Sequence, residues 1–260
     1  MLLKRVALLG LAATAMSATL GWQPMPFGCG AGQPTEDLIR ASMEMRLREA
    51  NLTADGQIAR DEIIVNVYVH VVALDETTGG GYITADTIEE QIKVLNENYA
   101  PSGISFILRN STWTIHASWT NNKDESAMKA ALRKGGYEDL NLYFINNFFE
   151  RTTLGKCTFP VEYPPDNDQR MMDGCIMKVG TVPGGYIKGS NLGKTATHEV
   201  GHWFGLLHTF EGSQCGGPGD HIDDTPAQSS ASYKCPTGKD SCPELDGLDP
   251  IHNYMDYSDE

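Results

Sequence analysis

Four residues close together, His198, Glu199, His202 and His208, have types and spacing that could do chemistry. They lie in Thr197-His198-Glu199-Val200-Gly201-His202-Trp203-Phe204-Gly205-Leu206-Leu207-His208. On a helix, His198 and His202 stand on one face, one turn apart, so both imidazoles can reach one metal ion. A catalytic zinc site needs a third protein ligand and an open fourth position for water. His208 can supply the third if the chain leaves the helix after His202. Gly205 is where it would turn, because glycine adopts left-handed backbone angles at little cost. Glu199 follows the first ligand and points near the metal without binding it. From there it can take a proton from the activated water and deliver it to a leaving amine. A bare His-Glu-x-x-His recurs by chance on ordinary helices, but Gly205 and His208 at the required spacing favour a three-histidine zinc site. Zinc aminopeptidases with the shorter pattern take a glutamate from a second helix as third ligand, and the nearby His208 speaks against that arrangement.

The extended pattern resembles the metzincin signature. Asn253-Tyr254-Met255-Asp256-Tyr257 resembles that clan's methionine turn, with Met255 as an apolar floor under the histidines; alone, Met255 would read as a gap-filling core residue. Tyr257 resembles the tyrosine that in several metzincin families lies near the metal and can stabilise an oxyanion; an ordinary packed tyrosine is the other reading. Within the clan the chain resembles the pappalysin family, and more narrowly fungal extracellular metalloproteases. The residues carrying this are Leu192 to Thr197, Trp203 to Phe210, Asp223-Asp224-Thr225-Pro226, Cys235-Pro236, Asp240-Ser241-Cys242, Gly247 to Tyr257 and, upstream, Asn98 to Phe106.

The resemblance implies an α/β (α+β) fold: a metzincin-like catalytic domain with a mixed twisted sheet and helices above the cleft, and a loop-rich, disulfide-held lower subdomain. It implies a zinc-dependent endopeptidase acting on extracellular proteins or peptides, and a Cys215–Cys242 disulfide. It also implies calcium near the zinc region, with Asp220, Asp223, Asp224 and Thr225 as donors; solvated loop carboxylates are the alternative. Some metzincin zymogens place a prosegment cysteine on the zinc, which makes Cys29 a candidate switch. A Cys29–Cys235 disulfide is the competing expectation. Relatives usually continue further beyond the counterpart of Tyr257 than the three residues to Glu260 here. That raises a second function, a catalytically impaired zinc-binding secreted protein.

The elements that must position this cluster are legible in the periodicity. Ile63 to Leu74 is rich in β-branched residues and predicts a strand. Thr84 to Tyr99 predicts an amphipathic helix with Ile88, Ile92 and Leu95 on one face. Ile104 to Leu108 and Leu140 to Asn146 predict strands, Ser126 to Lys134 a short helix, and Ile176 to Val179 an edge strand. Pro160 to Asn167 reads as a loop and Leu192 to Leu206 as the metal-bearing helix. Before them, Gly21 to Gly32 reads as irregular, Thr35 to Ala50 as a helix and Asn51 to Arg60 as a polar linker. Cys157 and Cys175 flank a loop and could pair, although spacing does not fix connectivity.

Composition bounds the function. The 260 residues carry a formal net charge of -14, which argues against nucleic-acid binding and against docking on anionic lipid. Lys4 and Arg5, the apolar run Val6 to Met16 and small residues at Ala13, Ala15, Ser17 and Ala18 form a secretory signal pattern. The run is too short to span a bilayer, so no stable membrane insertion is expected. The organisation expected is a signal peptide over 1–18, a prosegment over 19–60 and a catalytic domain over 61–260. Export permits disulfides among the six cysteines and makes the sequons at Asn51 and Asn110 usable for glycosylation.

Overall fold

The computed structural model describes residues 28–54, 62–148, 150, 152–161 and 166–259, without the side chains of 49–54. The signal-peptide region and the boundary at 60/61 between the expected prosegment and catalytic domain lie outside the described residues, as does the side chain of Asn51.

A six-stranded mixed sheet forms the frame. In chain order the elements are β1 (Gly28–Cys29), α1 (Glu36–Ala54), β2 (Ile63–Ala73), α2 (Ala85–Tyr99), β3 (Ile104–Ile115), α3 (Glu125–Leu132), β4 (Leu140–Ile145), β5 (Thr153–Cys157), α4 (Asn167–Met172), β6 (Cys175–Lys178) and α5 (Lys194–Trp203). The sheet order is β1-β5-β6-β4-β2-β3. β5 runs antiparallel to β6, and all other pairs are parallel. The expected α/β architecture with a mixed sheet is what the chain adopts.

β2 and β4 lie inside the sheet; the valines of β2 and the leucines, Tyr143, Phe144 and Ile145 of β4 are buried, as buried parallel strands require. Thr84 caps α2 by accepting from Thr87 N. α2 buries Ile88, Gln91, Ile92 and Leu95, and Gln91 Nε2 donates to Gly193 O at 2.9 Å, at the entrance to α5. The metal-bearing helix thus starts from a position fixed by the helix layer.

Several sequence expectations need correction. β6 is not an edge strand: β5 covers it, and β1 covers β5. β3 extends well past Leu108, to Ile115. The segment read as irregular contributes Gly28–Cys29 to the sheet, and α1 continues through Asn51 to Ala54, where a linker was expected. Asn110 is exposed on the outer strand β3, open to modification.

His70 on β2 is buried, with Nδ1 2.9 Å from Thr112 Oγ1 and Nε2 3.0 Å from Asn141 Oδ1. Burial lowers its pKa from 6.5 to about 4. Below pH 6.5 the unfolded chain therefore binds a proton that the folded chain refuses. Stability is lost as pH falls from 6.5 to 4, by about 3 kcal/mol for a shift of this size. We expect the melting temperature of a His70→Asn variant to fall less steeply over that range than that of the wild type, as read by calorimetry. Equal slopes would rule His70 out as the source.

Candidate metal centre

α5 starts after Gly193, whose left-handed φ of 86° only glycine holds without strain. The helix buries every residue from Ala196 to His202. Gly205 takes φ 94° and its N–H donates to His202 O at 2.9 Å, closing the helix with a left-handed turn. The chain then doubles back and brings His208 beside His202.

The three imidazoles converge. His198 Nδ1 lies 2.6 Å from Tyr254 O and His202 Nδ1 2.8 Å from Leu206 O. A carbonyl only accepts, so each Nδ1 carries the proton and donates. Each Nε2 is then left with a bare lone pair. Those Nε2 atoms face one another: His202 is 3.2 Å from His198 and 3.1 Å from His208. Two facing lone pairs without a hydrogen repel, and a cation among them removes the conflict. The donor set therefore fits a nitrogen-preferring divalent metal such as zinc. Burial and mutual proximity lower all three histidine pKa values to about 3, keeping the rings in the neutral, ligating form.

Glu199 is buried, and desolvation raises its pKa to about 8. It packs on β5 at Gly155, where a Cβ would stand 2.6 Å from Glu199 Oε1. Cys29 Sγ lies 3.4 Å from Glu199 Oε2. With the three histidines it forms a four-residue cluster whose ligand atoms all lie within 4.8 Å of one another. Burial, and then Glu199, push the Cys29 thiol pKa well up in the absence of a metal charge. Cys29 and Cys235 are both free thiols, so the expected alternative of a disulfide between them is not what the structure holds. The disulfides present are Cys157–Cys175 and Cys215–Cys242.

Met255 is buried with its Sδ against Gly201 on α5, where a Cβ would collide with it. Tyr257 Oη lies 3.2 Å from His208 Nε2. Tyr254 also ties the methionine turn to the helix layer: its hydroxyl donates to Asn98 Oδ1 at 2.9 Å, and Asn98 Nδ2 donates to Thr197 Oγ1 at 2.8 Å. The far end of α5 is held by Asp173, which accepts from Trp203 Nε1 at 3.0 Å and pairs with Arg133 at 3.1 Å. Gly155, Asn98 and Asp173 were not singled out from sequence as site residues. Asn98 sits in a segment that carried the family resemblance, which was a usable signal; the other two had none.

The four acidic-loop candidates separate. Asp220 and Thr225 line a cavity of about 90 Å³ together with Thr209 and Gln228. Of these lining residues, Thr209 and Gln228 each carry a buried oxygen, Oγ1 and Oε1, without a hydrogen-bond partner. Asp223 and Asp224 are exposed outside it, and Asp223 pairs with Arg46 of α1.

Residues 139–260 match the peptidase M43 family described as pregnancy-associated plasma protein-A. An extracellular metalloprotease of Pyricularia oryzae is 51% identical over 255 residues, 97% of this chain and 88% of that protein. One of Sordaria macrospora is 49% identical, over 95% of this chain and 87% of the relative. Mature mirolysin of Tannerella forsythia, solved with a cleaved peptide, shares the fold with a TM-score of 0.62 at 26% identity, covering 77% of this chain and 86% of that one.

Proposed function

The chain belongs to the pappalysin family of metalloendopeptidases, and from that premise we propose that it is a secreted zinc endopeptidase kept latent by its own N-terminal segment. In this reading His198, His202 and His208 hold zinc, Glu199 is the general base, and residues 19–60 form a prosegment ahead of a catalytic domain over 61–260. The observation that carries it is the convergence of three histidine Nε2 atoms on neutral rings beside a buried carboxylate.

When bound, zinc supplies a Lewis acid that polarises the scissile carbonyl and acidifies the attacking water. Glu199 takes the proton of that water and passes it to the departing amine nitrogen. Gly155 lets the carboxylate lie flat against β5, within reach of both positions. Tyr257 Oη, beside His208, is placed to donate to the carbonyl oxygen as it gains charge. Met255 packs on Gly201 between His198 and His202 in the helix, and the carbonyl of Tyr254 fixes which nitrogen of His198 is free.

The prosegment blocks this machinery in two ways. Gly28 N donates to Thr152 O at 3.0 Å and Gly30 N to Gly155 O at 2.8 Å, so the segment covers the β5 edge that a substrate backbone would pair with. Cys29 places its sulfur among the histidines, where a thiolate would exclude water. Secretion is supported by the N-terminal pattern and by relatives named as extracellular; among the described residues no helix is long and apolar enough to cross a membrane. The impaired-binder reading finds little support: Glu199 stands beside the ligands, and the relatives are named as proteases.

The test is digestion of a denatured protein by the purified chain after removal of the residues before Asp61. Cleavage that a chelator abolishes and zinc restores upholds the reading. A processed, zinc-loaded protein that cuts nothing refutes it.

Calcium is proposed at the small cavity, with Asp220, Thr225, Thr209 and Gln228 as oxygen donors. At a calcium concentration about a hundred times the Kd, the folded state gains about 2.7 kcal/mol, which should raise the melting temperature by roughly 5 °C or more. Asp220→Asn should remove that rise. An unchanged wild-type melting temperature would refute the site.

A further inference from the structure

β3 is the last strand of the sheet, so among the described residues one of its two edges has no partner strand. It runs from Ile104 to Ile115, 12 residues, and an open edge of that length invites pairing with another chain. The strand interrupts itself once. Val67 opposes Leu108 and Tyr68 opposes Asn110, which leaves Arg109 outside the register as a bulge. Its side chain donates to Asn66 Oδ1 at 2.6 Å.

The surface around this bulge is apolar on one face. His70 Nδ1 lies 2.9 Å from Thr112 Oγ1, so these opposed residues share a face. Side chains two apart on a strand point the same way, which puts Tyr68 and Asn110 on that face as direct neighbours. Next to them Asn66 opposes Ile107, and Ile64 stands two residues before Asn66. Ile64 is 56% exposed and Ile107 38%, and Tyr68 is half-buried. Among the described residues Tyr68 makes no hydrogen bond and pairs with no other ring, and the exposed Asn110 amide has no partner either.

We propose that Asn110 carries an N-linked glycan whose first N-acetylglucosamine lies on the Tyr68 ring and whose bulk shields the open β3 edge. Asn110-Ser111-Thr112 is an acceptor triplet. The substituents of a β-linked N-acetylglucosamine are equatorial, so its faces present C–H bonds, which pack well on an aromatic face. In the transfer, Asn110 Nδ2 bonds to C1 of an oligosaccharide carried on a polyprenyl diphosphate. The C1–O bond breaks, the diphosphate leaves with the electron pair, and the amide gives up one proton. The acceptor signal needs the Thr112 hydroxyl, which His70 engages in the folded chain, so transfer precedes the pairing of β3 with β2. The glycan then covers Tyr68 and Ile107 and stands where a second chain would have to pair.

The inference rests on the secreted reading, and the experiment separates the two. The full chain is expressed in yeast with its own N-terminus and, in parallel, with a foreign secretory leader replacing residues 1–18. Mass spectrometry of the peptide containing Asn110 should show the glycan on most exported molecules. A bare Asn110 in the chain exported by the foreign leader overturns the proposal. Failure of export with the native N-terminus alone, while the foreign-leader chain is modified, upholds the glycan and sinks only the secreted reading. The contact is tested after trimming the glycan to its first sugar. Asn110→Gln should then lower the melting temperature by about 3 °C. Tyr68→Leu should cost more in the glycosylated chain than in Asn110→Gln, and equal losses in both overturn the stacking. In sedimentation the glycosylated chain should stay one species while Asn110→Gln associates as concentration rises. A variant that stays monomeric throughout overturns the shielding.

Discussion

Glu199→Gln should lower peptide hydrolysis by at least about a hundredfold while leaving the metal content of the protein unchanged. A positioned general base contributes about 10²- to 10⁴-fold, and glutamine keeps the shape of glutamate while losing the ability to accept the proton. The separation of the two readouts follows from position. The carboxylate rests on Gly155 of β5, whereas the histidine nitrogens are oriented from the other side by Tyr254 O and Leu206 O. Burial, partly offset by the Cys29 hydrogen bond and the Lys156 charge, raises the Glu199 pKa to about 8, and a bound divalent cation favours the ionised form and draws it down. Activity of the metal-loaded enzyme should therefore rise with pH through a pKa below about 8, visible as the acid limb of the kcat/KM profile. A glutamine variant that cuts at the wild-type rate, or that loses its metal, would deny Glu199 the role of base.

Much of this site could be read from the sequence because it is nearly contiguous. His198, Glu199 and His202 share one helix, and the turn at Gly205 brings His208 back within a few residues, so spacing alone encodes the geometry. The long buried strands were visible for a similar reason, since the run of β-branched residues in β2 needs no partner to declare itself. β5 was invisible. Thr153-Leu154-Gly155-Lys156-Cys157 is short, has glycine at its centre and no alternation of buried and exposed residues. Its glycine makes sense only once Glu199 is seen lying against it. β1 has two residues and exists only because β5 offers an edge. The acidic loop misled in another way: four donors adjacent in sequence were grouped, but the fold turns Asp220 inward and leaves Asp223 to Arg46. Position along a chain specifies a helix face; it does not specify which loop carboxylate faces a cavity.

The same lack of local signal left two fates open for Cys29, and the fold separates them through a second expected result. Full-length Cys29→Ser should digest protein substrates without removal of the residues before Asp61, where the full-length wild type is latent. A contact worth only about 1.4 kcal/mol already shifts an equilibrium tenfold. A thiolate lost from a metal, together with a loosened β1–β5 pairing, should raise the rate of the unprocessed chain by at least that factor. The full effect needs both parts of the block to be weak. Gly28 and Gly30 still reach the carbonyls of Thr152 and Gly155 in the variant, but two hydrogen bonds contribute only about 1 kcal/mol each, which a substrate pairing along β5 can displace. Cys235→Ser separates the disulfide reading, since Cys235 is exposed and unpaired while Cys29 sits among the histidines. Latency should survive the loss of Cys235 and fail with the loss of Cys29. If instead the Cys29→Ser chain stays inert until it is cut, the block lies in the covered strand edge and the sulfur is incidental.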